Sequence, residues 1–81
     1  MLEEIEKKYD KVRKKMMFYH ILSLEMGTKE STIMSLWFNS IQGFKIPEKF
    51  WKKIIEILDD YLEEENREKR AYEKYLSKYK K

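Results

Sequence analysis

The sequence predicts a small all-α domain of four to five helices, and three observations support this. The chain has 81 residues but only two glycines and one proline, so little interrupts a helix. Charged residues make up 41% and hydrophobic residues 42% of the chain, a balance typical of solvated helices around one core. Apolar residues recur at steps of three and four, the spacing of one helix face. We therefore expect residues 1–81 to form a single helical domain.

The first helical pattern covers residues 2–25. Its apolar positions lie on one stripe and comprise Leu2, Ile5, Tyr9, Val12, Met16 and Tyr19. Residues 16–19 are four consecutive bulky side chains, which a narrow stripe cannot accommodate. We expect a bend or break near residues 18–20, dividing a long first helix from a short second helix that ends at Met26.

A glycine then predicts a tight turn. Gly27 tolerates the left-handed conformation in which many helices end, because it has no Cβ to clash. Thr28 is a candidate cap for the next helix, which should run from Lys29 to about Ile41. Ile33, together with Leu36 or Trp37, would form the apolar face of that helix.

A proline opens the last helical pattern. Pro47 fixes φ at a first helical position, where its missing N–H costs nothing. The apolar face that follows comprises Phe50, Trp51, Ile54, Ile55, Leu58, Tyr61 and Leu62. Residues 63–70 have no apolar side chain and form either an exposed helical bridge or a frayed joint. The stripe resumes at Tyr72, Tyr75, Leu76 and Tyr79, and this end would either fold back on the first helix or pair with a second copy.

Residues 19–38 resemble the helix-turn-helix of phage Cro and repressor proteins. Ser23 stands where that family has a small residue that lets the second helix approach, and Gly27 stands at its turn. Apolar residues that would knit the two helices together occur at the family's spacing: Leu22, Met26, Ile33 and Leu36. Thr28 departs from the pattern, since the family prefers a buried Val or Ile there. The stretch from Ile33 to Pro47 is about one helical turn longer than usual.

The resemblance implies a fold and a function. The fold would be a helix-turn-helix core at residues 15–58, followed by a charged helical extension at residues 59–81 within a long C-terminal helix. The function would be that of a sequence-specific DNA-binding transcriptional regulator, which occupies double-stranded DNA as a homodimer formed through the first or last helix. Base-facing positions would be Lys29, Glu30, Ser31, Met34 and Ser35. Phosphate contacts would come from Arg13, Lys14, Lys15, Lys45, Lys49, Lys52 and Lys53.

The charge distribution suits this function only in the middle of the chain. Residues 27–53 contain five lysines and two glutamates, a local balance of +3, whereas residues 54–73 contain eight acids against three basic residues, a balance of −5. The expected recognition helix also has no Arg, Gln or Asn before Asn39, although these are the usual base-reading residues. An alternative from another class is therefore a small helical protein-interaction module, such as a phage-type inhibitor or assembly adaptor, that does not bind DNA.

Other kinds of chemistry are poorly supported. The chain has no cysteine and one histidine, His20, so we expect no metal site, no cofactor and no enzyme activity. No apolar run approaches the roughly 18 residues of a membrane span, and the acidic N-terminus does not resemble a secretory signal. We expect a cytoplasmic protein with no membrane partner and no small-molecule ligand.

Overall fold

The computed structural model describes residues 2–79, and within this range the chain is all-α with no strand, which confirms the predicted fold class. Helix α1 covers Leu2–Asp10, α2 covers Lys15–Met26, and α3 begins as Glu30–Thr32 and continues directly as a π-helix at Ile33–Trp37. A 3-10 turn at Glu48–Phe50 leads into the long helix α4, Trp51–Tyr79.

Helix α4 is the longest element; α1 and α2 pack against it, and α3 packs against α2. Ile54 and Leu58 are fully buried, as the predicted apolar face required. α1 packs against the first half of α4, and an ion pair joins Lys8 to Asp59 across the contact. The core comprises Ile5, Tyr9, Val12, Phe18, Tyr19, Leu22, Ile33, Trp37, Phe38, Ile46, Ile54 and Leu58.

The break between the first two helices does not lie where the sequence predicted it. Residues 18–20 are inside α2, and the chain leaves the helical conformation at residues 11–14 instead. Four consecutive bulky residues are tolerated because Phe18 and Tyr19 face the core, while Met16 and Met17 are more than half exposed. The break itself is fixed from outside the segment, since the Glu65 carboxylate accepts the backbone N–H groups of Arg13 and Lys14.

The helix after the turn is shorter than predicted and is wound differently. It ends at Trp37 rather than near Ile41, and its last five residues form a π-helix in which the Phe38 N–H donates to the Ile33 carbonyl at 3.0 Å. Because this winding has more residues per turn, Trp37 and Phe38 share the buried face with Ile33. Leu36, which we expected to knit the helices together, is 49% exposed as a result.

An asparagine marks the end of this helix. The Asn39 Oδ1 accepts the backbone N–H groups of Ile41 and Gln42, both at 2.9 Å, and its Nδ2 donates to the Ser35 carbonyl at 3.1 Å. Asn side chains favour turns because they bond nearby backbone groups in this way. Ile41 is left 94% exposed beyond the helix end.

The C-terminal part of α4 is one continuous helix, and residues 66–78 are exposed throughout. Of the two expectations for residues 63–70, the helical bridge is confirmed. The fold-back of residues 72–79 onto α1 is wrong, because a continuous helix cannot reverse and because the first half of α4 already covers α1. Pro47 also differs slightly from expectation, since it precedes the 3-10 turn and its carbonyl accepts the Phe50 N–H at 2.9 Å.

Candidate nucleic-acid interface

The reversal between α2 and α3 is built from two local hydrogen bonds. Gly27 has φ 65° and its N–H donates to the Ser23 carbonyl at 2.9 Å, so the predicted glycine turn is confirmed. The Ser23 hydroxyl donates to the Thr28 carbonyl at 2.6 Å, which ties the far side of the turn to α2. The predicted cap at Thr28 is wrong, because Lys29 takes the N-cap position and makes no side-chain capping bond.

Apolar contacts hold α3 against α2 and leave its other side open. Leu22 and Ile33 are fully buried and Met26 is half-buried, as the spacing of these residues predicted. The rings of Phe18 and Phe38 meet edge to face with their centroids 5.7 Å apart. These contacts fix the orientation of α3 relative to α2.

Four of the five predicted base-facing residues are exposed. Lys29, Ser31, Met34 and Ser35 all lie at the surface, so this part of α3 is not sealed beneath other helices. Two of the five side chains make contacts within the chain. The Glu30 carboxylate lies 2.6 Å from the His20 Nδ1, and the Ser35 hydroxyl donates to the Ser31 carbonyl at 2.6 Å. Lys29, Ser31 and Met34 are therefore the side chains best placed to reach a ligand.

Four of the predicted phosphate-contacting lysines follow α3 directly. They are exposed and comprise Lys45, Lys49, Lys52 and Lys53. Two contacts bring their segment to the C-terminal end of α3: the Lys45 N–H donates to the Leu36 carbonyl at 3.0 Å, and the Trp37 and Phe50 rings lie 5.5 Å apart. Among residues 2–79, none of these four lysines has a carboxylate within 4.0 Å. Their charge is available to an anionic partner.

The other three predicted phosphate contacts lie at the opposite end of α2. Lys15 begins that helix, so it is about 18 Å along the axis from the Gly27 turn. The Arg13 guanidinium donates to the Glu65 carbonyl at 2.9 Å, and the Lys14 Nζ lies 3.7 Å from the Glu68 carboxylate. The Lys15 Nζ donates to the Val12 carbonyl at 2.7 Å. The structure therefore does not bring Arg13, Lys14 and Lys15 together with the other predicted residues.

Two groups of buried or half-buried polar side chains were not predicted from the sequence: Glu65 with Tyr61, and Tyr9 with Tyr19. Burial alone would raise the pKa of Glu65, but its hydrogen bonds from the Lys14 and Arg13 N–H groups outweigh burial and lower that pKa. Burial, reinforced by the neighbouring Glu65 carboxylate, raises the pKa of Tyr61 to about 12. The hydroxyls of Tyr9 and Tyr19 bond to each other in the core. In the sequence, Glu65 is visible only as one of residues 63–70, which have no apolar side chain.

Comparisons with known proteins identify no family for this chain. No protein-family model, no curated protein and no solved structure matches the chain. Within residues 2–79, no helix combines the length and apolarity needed to cross a bilayer. The same residues contain no cluster of three or more His, Cys, Asp or Glu side chains suited to a metal ion.

Proposed function

We propose that this chain is a sequence-specific DNA-binding transcriptional regulator that acts in the cytoplasm, without enzyme chemistry, by occupying double-stranded DNA as a dimer. α3 would enter the major groove, where Lys29, Ser31 and Met34 would meet base edges. Lys45, Lys49, Lys52 and Lys53 would contact phosphates beside the groove.

One observation carries this proposal: the glycine turn leaves the polar start of α3 exposed, and four exposed lysines without a carboxylate within 4.0 Å among residues 2–79 follow at the other end of the same helix. Lys29 and Ser31 are at the surface, and the Trp37–Phe50 contact fixes the lysine segment relative to α3. A rigid helix beside a basic segment is the arrangement that DNA binding requires, since phosphate contacts supply affinity and base contacts supply specificity.

The test is a binding titration with a fluorescent mixed-sequence duplex of about 25 base pairs at about 50 mM and about 200 mM salt. We expect binding at low salt that weakens by at least about tenfold at the higher salt, because bound phosphates release counterions. The double substitution Lys52→Glu/Lys53→Glu should remove binding, whereas the matched change Lys7→Glu/Lys11→Glu, on α1 and in the turn directly after it, should not. Absence of binding by the wild-type chain at low salt would refute the proposal.

Sequence preference is tested separately by selection from a randomised duplex library. The wild-type chain should enrich a preferred sequence, and Lys29→Ala should change that preference while leaving the salt dependence nearly the same. Enrichment of no sequence by the wild-type chain would mean that the protein binds DNA without reading it.

A second function is favoured by a different observation. Met34, Leu36 and Ile41 are 40%, 49% and 94% exposed around the C-terminal end of α3, and exposed apolar groups of this kind are typical of protein-binding surfaces. The protein would then be a small interaction module. In that case Leu36→Ser/Ile41→Ser would abolish partner binding, and Lys52→Glu/Lys53→Glu would leave it unchanged.

A further inference from the structure

An open groove runs between α2 and the middle of α4, on a face that the DNA proposal does not use. Ile21, Ile57 and Tyr61 line its floor, and it encloses about 290 Å³. Its rim is acidic, with Glu25, Asp60 and Glu64. Among residues 2–79, neither Glu25 nor Asp60 has a basic side chain within 4.0 Å. The groove therefore favours an occupant with an apolar stripe and positive charge.

The chain itself carries a segment with these properties. Residues 66–79, here called the arm, form the part of α4 that extends past α1 and α2. Tyr72 and Tyr75 are 64% and 60% exposed. The arm contains five basic residues and two acids, a balance of +3: Arg67, Lys69, Arg70, Lys74 and Lys78 against Glu68 and Glu73. Residues 66–78 are exposed throughout, so this helix gains little stability from burial within its own chain, and packing against a partner would stabilise it.

The register of α4 shows how two copies would fit. Residues 57, 61, 64, 68, 72 and 75 follow one another at steps of four and three, so they lie along one stripe of a straight helix. Within this stripe, positions 61, 64, 68, 72 and 75 are symmetric about residue 68. Two antiparallel copies of α4 that cross at Glu68 would set Tyr75 of one copy opposite Tyr61 of the other. Lys74 and Lys78 of one copy would then lie level with residues 62 and 58 of the other copy, on either side of its Asp60.

We propose that the chain forms a homodimer in which the arm of each copy lies antiparallel in the groove of the other. Tyr72 and Tyr75 bury apolar surface against Ile57 and Tyr61, and the basic residues of the arm face the acidic rim. The two Glu68 carboxylates meet near the symmetry axis, where the Lys14 Nζ, 3.7 Å from Glu68 in the same copy, offsets their repulsion. This dimer does not depend on whether the protein binds DNA.

The first experiment is sedimentation velocity on the full chain over a range of concentrations. We expect the wild-type chain to dimerise, and Tyr75→Ser to raise the dimer dissociation constant by at least about tenfold. The matched substitution Tyr72→Phe keeps the apolar surface and should leave the dimer intact. Far-UV circular dichroism checks that each variant retains its helices, since these residues lie outside the core.

A charge exchange tests which surfaces meet. Lys74→Glu/Lys78→Glu gives an acidic arm, and Glu25→Lys/Asp60→Lys gives a basic groove. Each variant alone should fail to dimerise, because its arm and groove then carry the same sign of charge. A mixture of the two should form a heterodimer, because each arm then meets a groove of opposite charge. A mixture that stays monomeric while the wild-type chain dimerises would overturn the proposed contact.

A thiol cross-link tests the antiparallel geometry. The chain has no cysteine, so Glu68→Cys introduces a single thiol at the proposed symmetry axis. Mild oxidation should join two copies of this variant rapidly, whereas Lys7→Cys on α1 should react slowly. A wild-type chain that is monomeric at all concentrations, or equal reaction of the two thiols, would refute the dimer.

Discussion

Arg13 and Glu65 hold each other in a reciprocal pair across 52 residues of chain. The Arg13 backbone N–H donates to the Glu65 carboxylate at 3.1 Å, and the Arg13 guanidinium donates to the Glu65 backbone carbonyl at 2.9 Å. Glu65 is 5% exposed and also accepts the Lys14 N–H at 3.0 Å. A side chain of α4 thus accepts the N–H groups of the N-cap residue Lys14 and of the residue before it, whereas in a capping box the N-cap N–H is met by a Glu or Gln of the same helix.

Glu65→Gln should lower the free energy of unfolding by about 1–3 kcal/mol, because a buried charged acceptor is replaced by a neutral amide with only one acceptor oxygen. Urea denaturation at pH 7 measures the change. Glu64→Gln is the matched control, since Glu64 is exposed and, among residues 2–79, its ion pair is with Arg67 on its own helix. We expect the control to change stability by less than about 0.5 kcal/mol, and equal effects would contradict the capping role.

The same carboxylate should make stability depend on acid pH. Its pKa in the folded protein lies below the ordinary value of 4.5, so its contribution is complete above that pH. The contribution is lost as pH falls through the lowered folded value. Urea denaturation at several pH values between about 3 and 7 should therefore show a smaller acid loss for Glu65→Gln than for the wild type. Parallel pH profiles would contradict this prediction.

The buried hydroxyls of Tyr9 and Tyr19 should be energetically coupled. Burial, followed by the bond to Tyr19, raises the pKa of Tyr9, so the Tyr9 hydroxyl stays protonated in the folded core. Tyr9→Phe or Tyr19→Phe alone should cost about 1–3 kcal/mol, because each leaves one buried hydroxyl without its partner. The double variant should cost less than the sum of the two. Thermal unfolding of the wild type, the two single variants and the double variant gives a double-mutant cycle. Strict additivity of the two single effects would show that the hydroxyls do not interact.

The π-helix predicts that substitution of Phe38 destabilises the fold more than substitution of Leu36, whereas an ordinary α-helix would predict the reverse. Phe38→Ala should destabilise the fold by about 3–5 kcal/mol, because Phe38 is buried among aromatic rings. Leu36→Gln should change stability by less than about 0.5 kcal/mol, because Leu36 is half exposed. Chemical denaturation measures both. A large loss for Leu36→Gln would mean that the helix keeps the α winding and buries Leu36.

Gly27→Ala should lower the free energy of unfolding by about 1–2 kcal/mol, through the conformation of the backbone alone. Gly27 has φ +65° and an added Cβ would meet no atom within 4 Å, so the cost comes from the left-handed conformation. Asn tolerates this conformation better, and Gly27→Asn should therefore be the milder change in thermal unfolding. If both variants were as stable as the wild type, the turn would not need its left-handed residue.

The sequence predicts the parts of this fold whose causes are local. The end of α2 follows from the backbone freedom of Gly27, and the apolar face of α4 follows from helical spacing. The break at residues 11–14 was not predictable from its neighbours, because its cause is Glu65, which lies 52 residues later than Arg13. The exposure of Leu36 was not predictable either, because the π winding depends on how Trp37 and Phe38 pack against other elements.

The candidate interface likewise has one part that was predictable from the sequence and one part that was not. The exposure of Lys29 and Ser31 was expected from their polarity at the start of a helix, and the structure agrees. Arg13, Lys14 and Lys15 look equivalent to the other basic residues in the sequence. Their separation from α3 depends on which end of α2 faces the middle of α4, and only the three-dimensional arrangement of the helices determines that.

The long-range capping of α2 also constrains how the protein is made. Translation adds about 5–20 residues each second, so roughly 3–10 seconds pass between the synthesis of Arg13 and that of its partner Glu65. During this interval the backbone donors of Arg13 and Lys14 bond water instead of the Glu65 carboxylate. The native junction between these helices can therefore form only after Glu65 has been synthesised.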